Sequence, residues 1–474
     1  MPHIRILRHY LHTSLVILAF SEALICIGAA YLGYYTRFQS FPEPLVFLDS
    51  ALTLSAVFVA GMIAMGVYES RIREGMTGMS LRTAVAVFLL GTSGLAVLSY
   101  IFPSLQIGRG VLLFAAIEAF ILITLFRWLV FSVLDEDSFK KTVVVLGIGE
   151  RATKIAARMR RRVDQRAFKL LGFMDPSNSE IDDRVSAFGG RIIRTDQKLA
   201  DFCETNRVDE IVVAMDERRR NRTAGGGLPL EELMDCRVAG VQICDVQQFI
   251  EREAGRIDVD LLRPSWVVFS DGFIMNSWRA FTKRTFDLLA SLFLLLFTWP
   301  FMLLAAIAIR LESGRGAPIL YRQTRTGLDG APFDVFKFRS MRTDAEAAGK
   351  AQWAQQNDPR VTRVGSVIRK TRIDELPQLF NVFRGEMSFV GPRPERPMFV
   401  EDLTRSIPFY EHRHRVKPGI TGWAQLCYPY GASVEDAKEK LQYDLYYLKN
   451  NSLLLDLIIL LQTVEVVLIG DGAR

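Results

Sequence analysis

Sulfur and imidazole are scarce in this sequence. Its five cysteines, Cys26, Cys203, Cys236, Cys244 and Cys427, stand apart without a CxxC or any finger spacing. That spacing argues against a zinc scaffold or a redox pair and leaves reduced packing residues in a cytosol-facing protein. Histidine also occurs five times, and the close pair His412 and His414 lies in EHRHRVKPG, where neighbouring cations repel a metal; a basic surface is the expectation there. Between 139 and 265 there is no tyrosine, so the YxxxK pair of a nucleotide-sugar dehydratase or epimerase has no place. No TVGYG filter or polar pore lining occurs either, which weighs against a channel.

Apolar residues are abundant. They make up 50% of the 474 residues, with a mean hydropathy of +0.17, a balance that indicates a membrane protein carrying soluble domains. Four apolar runs open the chain, at 14–35, 45–67, 83–102 and 111–134, each long enough for a helix to cross about 30 Å of hydrocarbon. Arg5 and Arg8 precede the first run, Arg71, Arg73 and Arg82 separate the second from the third, and Lys140 and Lys141 follow the fourth. The outer loops carry little beyond Arg37 and Arg109, so the positive-inside rule puts both ends of a four-helix bundle, 1–138, in the cytoplasm.

Residues 139–265 change rhythm. KTVVVLGIGERATKIAARM reads as strand, glycine turn and helix, and FKLLGFMD, VDEIVVAM and GVQICDV supply further short strands between polar helices, which predicts a parallel α/β sheet. Gly147 and Gly149 with Ala152 form a GxGxxA, and Asp175 ends the following strand. Two readings stand side by side: a dinucleotide turn with a ribose-binding acid, or a tight structural turn, the second favoured by Glu150 at the place where phosphate would sit.

A fifth apolar run, 288–309, has Lys283 and Arg284 before it, Arg310 after it and Pro300 near its middle. Cations at both ends ask to stay on one side of a membrane, and an internal proline bends a helix at a cost of about 3 kcal/mol. The expectation is a re-entrant hairpin over 285–310, with a kinked ordinary span as the alternative. Near the C-terminus, LLLDLIILLQTVEVVLIG is interrupted by Asp456, Gln462 and Glu465, and reads as a helix lying on a membrane or a core.

TRIDELPQLFNVFRGEMSFVGPRPE, 371–395, sets Asp374 beside Glu375 among arginines. Pro377 belongs in a first helical turn, so a helix is expected from about Asp374 to a stop at Gly385. Two carboxylates about 4 Å apart repel by roughly 4 kcal/mol at an effective dielectric of 20. Mg²⁺ with substrate phosphates offsets that repulsion, as do Arg369, Arg372, Arg384, Arg393 and Arg396. Upstream, Arg322, Arg325, Lys337, Arg339 and Arg342 add cations among aromatics next to a membrane-inserted element, which favours a phosphate-bearing lipid over nucleic acid. The pattern fits Mg²⁺-dependent phosphoryl transfer in which one carboxylate attacks phosphorus.

KRTFDLLAS, the proline-centred apolar run, YRQTRTG, FDVFKFRSM, DPRVTRVG, IRKTRIDELPQLFNVFRGEMSFVGPRPE, VKPGITGWAQ and YDLYYLKNNSLLLDL follow in order through 283–474. Together they resemble the catalytic domain of bacterial polyprenol-phosphate phosphoglycosyl transferases, the bacterial sugar transferase family. The preceding 265 residues are similar to the long members, with four spans and a Rossmann-like domain. The resemblance implies a membrane protein, α plus α/β, with a monotopic catalytic domain at 275–474 in a bacterial inner membrane and both soluble domains facing the cytoplasm. It implies Asp374 as nucleophile toward a UDP-sugar, Glu375 as the Mg²⁺ ligand, and Lys337, Arg369 and Arg393 on phosphates, with Arg339 beside them. The acceptor is a polyprenyl phosphate such as undecaprenyl phosphate, the product a polyprenyl-diphospho-sugar made with release of UMP, and homodimerisation of the bundle stays open. Pro300 matches the helix-breaking proline of the family. Trp299 stands where the family has serine, which leaves Thr298 to satisfy the carbonyl that the proline frees.

Overall fold

The four N-terminal apolar runs fold as helices α1 (Thr13–Phe38), α2 (Pro44–Ala64), α3 (Met76–Ile101) and α4 (Arg109–Val133) in the computed structural model. That structure describes residues 3–6, 9–68, 76–105, 107–133, 140–159, 168–175, 184–216, 228–262, 277–314, 316–343, 360–428, 431 and 433–469. By length and apolar composition all four helices can cross a membrane. Within α3, Val85–Gly91 is wound as a π-helix. Helices α1 and α4 approach closely: a side chain at Gly33 would come within 2.5 Å of the Ala115 backbone nitrogen.

A buried ion pair ties the four helices together. Arg127 on α4 meets Glu22 on α1 at 2.6 and 2.7 Å through Nε and Nη2, and its Nη1 donates to Thr83 Oγ1 on α3 at 2.6 Å. Tyr68, four residues past α2, donates to the same Glu22 carboxylate at 2.6 Å. Both charged residues are fully enclosed, so each must find its partners inside the bundle. Hydropathy alone did not single out either one.

The α/β segment builds a five-stranded, all-parallel sheet. Its strands are β1 (Lys141–Leu146), β2 (Phe168–Met174), β3 (Ile192–Ile193), β4 (Glu210–Val213) and β5 (Gln242–Asp245), in the order 3-2-1-4-5. Val143 and Val145 point to one hydrophobic core, Val144 and Leu146 to the other, as expected for a strand covered on both faces. The chain divides into two compact units after Leu261.

The second unit begins with α6 (Ser277–Ser313), numbered after α5 (Glu150–Arg158) of the α/β segment. Pro300 lies inside a run of 37 helical residues. Thr298 does not serve the carbonyl that the proline frees. Proline at 300 removes the helical donor to Leu296 O, whereas Thr298 Oγ1 donates to Leu294 O at 2.7 Å. Both ends of α6 dock on the same unit. Lys283 Nζ reaches Asp456 at 2.7 Å and the Val390 carbonyl at 3.1 Å, while Asp287 accepts from Ser388 Oγ and Phe389 N. At the other end Ala305 and Ile309 pack with Phe338 and Ile368, and Glu312 accepts from the Arg363 and Val364 amides. Between the two anchors Leu292, Leu296, Trp299, Phe301 and Leu304 are exposed.

The rest of this unit comprises an antiparallel hairpin, β6 (Leu320–Thr326) and β7 (Pro332–Phe338), and helices α7 (Arg363–Lys370) and α8 (Gln378–Arg384). A short parallel pair, β8 (Ser388–Val390) and β9 (Gly419–Thr421), and helices α9 (Val434–Asn450) and α10 (Leu453–Ile469) follow. Helix α10 lies on a core with Leu455, Asp456, Ile459 and Gln462 inward and Leu453, Leu457 and Val464 outward. His414 corrects the basic-surface expectation: it is buried, and burial together with Arg413 pushes its imidazole down to about 4, so it is neutral.

Breaking the bundle's ion pair from one side leaves a buried charge alone, a cost of roughly 3–5 kcal/mol. Arg127→Ala is therefore expected to unfold markedly earlier in detergent micelles, and Glu22→Leu combined with Arg127→Met to recover most of the loss. Unchanged unfolding of Arg127→Ala would show that the pair does not hold the helices.

Candidate active site

A missing amide places the acid pair. Pro377 has no N–H to give to Ile373 O, so that carbonyl is taken by Leu376 N at 3.1 Å, and Glu375 N donates to Arg372 O at 3.2 Å. These i to i−3 bonds wind Ile373–Glu375 as a 3₁₀ turn, started by Arg372 at φ 58°. The α-helix thus begins at Gln378 and not at Asp374, and it stops where expected, with Gly385 at φ 86°. Neighbours on a 3₁₀ turn diverge by about 120°, so the two carboxylates enter different surroundings.

Glu375 is surrounded by cations. Lys337 Nζ lies 2.8 Å and Arg393 Nη2 3.4 Å from Oε1, and Arg372 Nη1 lies 4.0 Å from Oε2. Burial raises the Glu375 carboxyl, but Lys337 and Arg393 outweigh it and hold it well below the usual carboxylate range. Asp374 is buried, and its Oδ1 has no hydrogen-bond partner among the described residues. Burial first and the Glu375 charge second push it up to about 6, against the pull of Lys337, Arg369 and Arg372. One acid is neutralised by fixed cations; the other is ionised near neutrality, with Oδ1 lacking a hydrogen-bond partner among the described residues.

Strand β7 supplies Lys337, and Arg339 directly follows its last residue, Phe338, with its amide donating to Ile319 O at 2.9 Å. Arg339 is buried with neither terminal nitrogen partnered among the described residues, an arrangement that calls for an anion. Phe336, on the opposite face, carries Arg322 and Arg384 over its ring at 5.3 and 5.1 Å, so those two arginines serve the strand and not the acid pair. Sequence reasoning passed over Asn381. Its side chain accepts from Phe336 N at 3.1 Å and donates to Asp334 O and Glu386 Oε2 at 2.7 Å, fastening α8 to β7 and thereby the acid turn to Lys337. The only signal was one amide in the apolar run LFNVF.

Among the described residues no three His, Cys, Asp or Glu side chains converge as a preformed metal cage. The resemblance implies Mg²⁺; the hard oxygen donors that would hold it are these adjacent carboxylates, of which Asp374 Oδ1 is unsatisfied among the described residues.

In the first unit, Gly147 and Gly149 form the turn from β1 into α5, and Asp175 directly follows β2. The anion position at the start of α5 is taken by Asp216, which follows β4. Its carboxylate accepts from Glu150 N at 2.7 Å and Arg151 N at 3.1 Å. A side chain at Gly149 would lie 2.0 Å from Asp216 Oδ2, so glycine is needed here to admit the protein's own carboxylate.

Comparison with known proteins gives two family matches: bacterial sugar transferase over residues 278–470 and CoA-binding domain over 63–223. A UDP-N-acetylgalactosamine-undecaprenyl-phosphate N-acetylgalactosaminephosphotransferase of Aeromonas hydrophila is 44% identical over 51% of this chain and 56% of its own length. An undecaprenyl-phosphate glucose phosphotransferase of Komagataeibacter xylinus is 35% identical over 69% and 58%. A UDP-glucose:undecaprenyl-phosphate glucose-1-phosphate transferase of Caulobacter vibrioides is 45% identical over 40% and 71%. The chain thus spans little more than half the length of the first two. The second family match implies CoA, but its diphosphate does not fit at the glycine turn, where the Asp216 carboxylate already holds both helix amides and would repel phosphate.

Because the folded state holds the Asp374 proton more tightly than the unfolded chain does, this carboxyl costs stability increasingly as pH rises from about 4 to about 6. Asp374→Asn is expected to unfold later than the native protein near pH 7.5, by up to about 3 kcal/mol, with the difference closing below about pH 4. Denaturant titrations at the two pH values check this, and an unchanged or lowered stability at pH 7.5 would contradict it.

Proposed function

The chain belongs to the bacterial sugar transferase family, and we propose that it transfers a sugar 1-phosphate from a UDP-sugar to undecaprenyl phosphate through an aspartyl intermediate. The observation that carries this reading is the inequality of the acids: a buried Asp374 whose Oδ1 has no hydrogen-bond partner among the described residues, beside a Glu375 already neutralised by Lys337 and Arg393.

An Asp374 oxygen attacks the sugar-proximal phosphorus, the bond from that phosphorus to the bridging oxygen breaks, and UMP leaves with the electron pair. An oxygen of the polyprenyl phosphate then attacks the same phosphorus, the bond to Asp374 breaks, and the carboxylate is regenerated as the polyprenyl-diphospho-sugar forms. Lys337, Arg369 and Arg393 hold phosphate oxygens where charge develops, and Arg339, whose terminal nitrogens have no partner among the described residues, adds an anion contact. Mg²⁺, held through Glu375, would supply shielding of the diphosphate charge when bound. The UDP-hexose default is UDP-glucose or UDP-galactose.

Helix α6 enters and leaves the bilayer by one face: its two ends dock on the same soluble unit and its middle exposes large apolar side chains. The positive-inside pattern puts this face in the cytoplasm of a bacterial inner membrane, where the donor is made. The product is the first lipid-linked sugar of a surface polysaccharide such as an exopolysaccharide, capsule or O-antigen.

Membranes bearing the protein, given undecaprenyl phosphate and a panel of UDP-sugars, are expected to release UMP with one of them. EDTA should stop the release and Mg²⁺ restore it. The rate should fall as pH drops through about 6, where Asp374 takes up its proton. Asp374→Asn should lower turnover by at least about a thousandfold; full turnover in that variant would rule out the covalent step.

A further inference from the structure

Residues 391–396, GPRPER, form a loop that cannot support itself. Pro392 and Pro394 have no amide to donate, so the loop makes no ladder of its own. Its carbonyls are held from outside, one after another. Pro392 O accepts from Gly419 N at 3.0 Å, Arg393 O from Arg413 Nη2 at 3.0 Å, Pro394 O from Arg325 Nη1 at 3.1 Å and Glu395 O from Thr326 N at 2.9 Å. Two of these donors are backbone groups of β9 and β6, fixed by their strands. The donor at Arg393, the residue that reaches Glu375, is a side chain.

That side chain is itself immobilised. Arg413 is buried, its Nε and Nη2 meet the buried Asp444 carboxylate at 3.0 and 2.8 Å, and its Nη1 donates to Tyr410 Oη at 2.7 Å. Nε and Nη2 converge on one carboxylate oxygen, Oδ2, while Nη1 meets Tyr410, so the planar guanidinium is held at all three nitrogens, which is what a fixed donor to a loop carbonyl requires. We propose that Arg413 is a positioning residue for the reaction: clamped by Asp444 and Tyr410, it holds the Arg393 carbonyl and so sets the reach of the Arg393 guanidinium to the acid pair. It touches neither acid. A residue that only packed the core would lower stability without singling out Arg393.

The inference rests on the proposed activity for its readout. Arg413→Lys keeps the charge opposite Asp444 but loses the fork that spans carboxylate and carbonyl together. It is expected to lower kcat/KM for the UDP-sugar about 20-fold in the native background and less than about threefold in an Arg393→Lys background, a non-additivity that marks action through Arg393. Equal losses in the two backgrounds, or none, would overturn the proposal. If Arg413→Lys does not fold, Tyr410→Phe, which removes one hydroxyl acceptor, is carried through the same two backgrounds with an expected native loss of about threefold. Absence of UMP release from any UDP-sugar by the native protein would count against the activity, not the loop; the same comparison would then be read from UDP dissociation constants by calorimetry.

Discussion

Two carboxylates on consecutive residues cannot both be ionised in a buried turn unless something neutralises at least one, and the second unit is organised around that requirement. Lys337 and Arg393 meet Glu375 from opposite directions in sequence, one from a strand 38 residues earlier and one from a loop 18 residues later. The strand is fastened by Asn381 to the helix that follows the acid turn, and the loop is gripped by Arg413, Arg325 and two strands. Each of these supports is polar and enclosed, and each would cost stability if its partner were missing. The geometry of the site is therefore held by electrostatics more than by apolar packing.

The membrane-directed helix belongs to the same arrangement. Lys283 and Tyr447 both donate to the Val390 carbonyl, and Asp456 accepts from both of them. Val390 ends the strand that runs into GPRPER. The start of α6 thus grips the chain just ahead of the Arg393 loop, while its far end packs under the strand that carries Lys337. A helix anchored in this way carries the acid site with it wherever it rests in a bilayer.

Much of this was legible in the sequence for simple reasons. Apolar runs of some twenty residues and paired cations are strong signals, and they place the ends of α1, α2 and α4 to within three residues, while α3 begins seven residues ahead of its apolar run. Alternation of short strands with polar helices does the same for the parallel sheet. The acid pair and its arginines stand out because so many charges in a glycine- and proline-rich stretch have no structural use. What escaped was local or long-range in a way that periodicity does not encode. The helix starts at Gln378 because Pro377 also fails to bond Ile373, which turns the preceding residues into 3₁₀ geometry. Thr298 bonds a carbonyl two residues from the one that Pro300 leaves free. Glu22, Arg127, Asn381 and Arg413 act across more than thirty residues or through single hydrogen bonds, and a lone polar residue in an apolar run does not announce its partner.

The two halves of the chain contain the same physical device with opposite outcomes. At the start of α5 two helix amides create a place for an anion, and Asp216 fills it, so the glycines there serve a closed turn. In the second unit the buried Arg339 terminal nitrogens and the buried Asp374 Oδ1 have no hydrogen-bond partner among the described residues. A fold can afford such incompleteness only where a ligand restores the balance. The contrast between a satisfied anion position in the sheet domain and unsatisfied charges beside the acid pair is what locates the chemistry in the second unit, and it does so on charge alone.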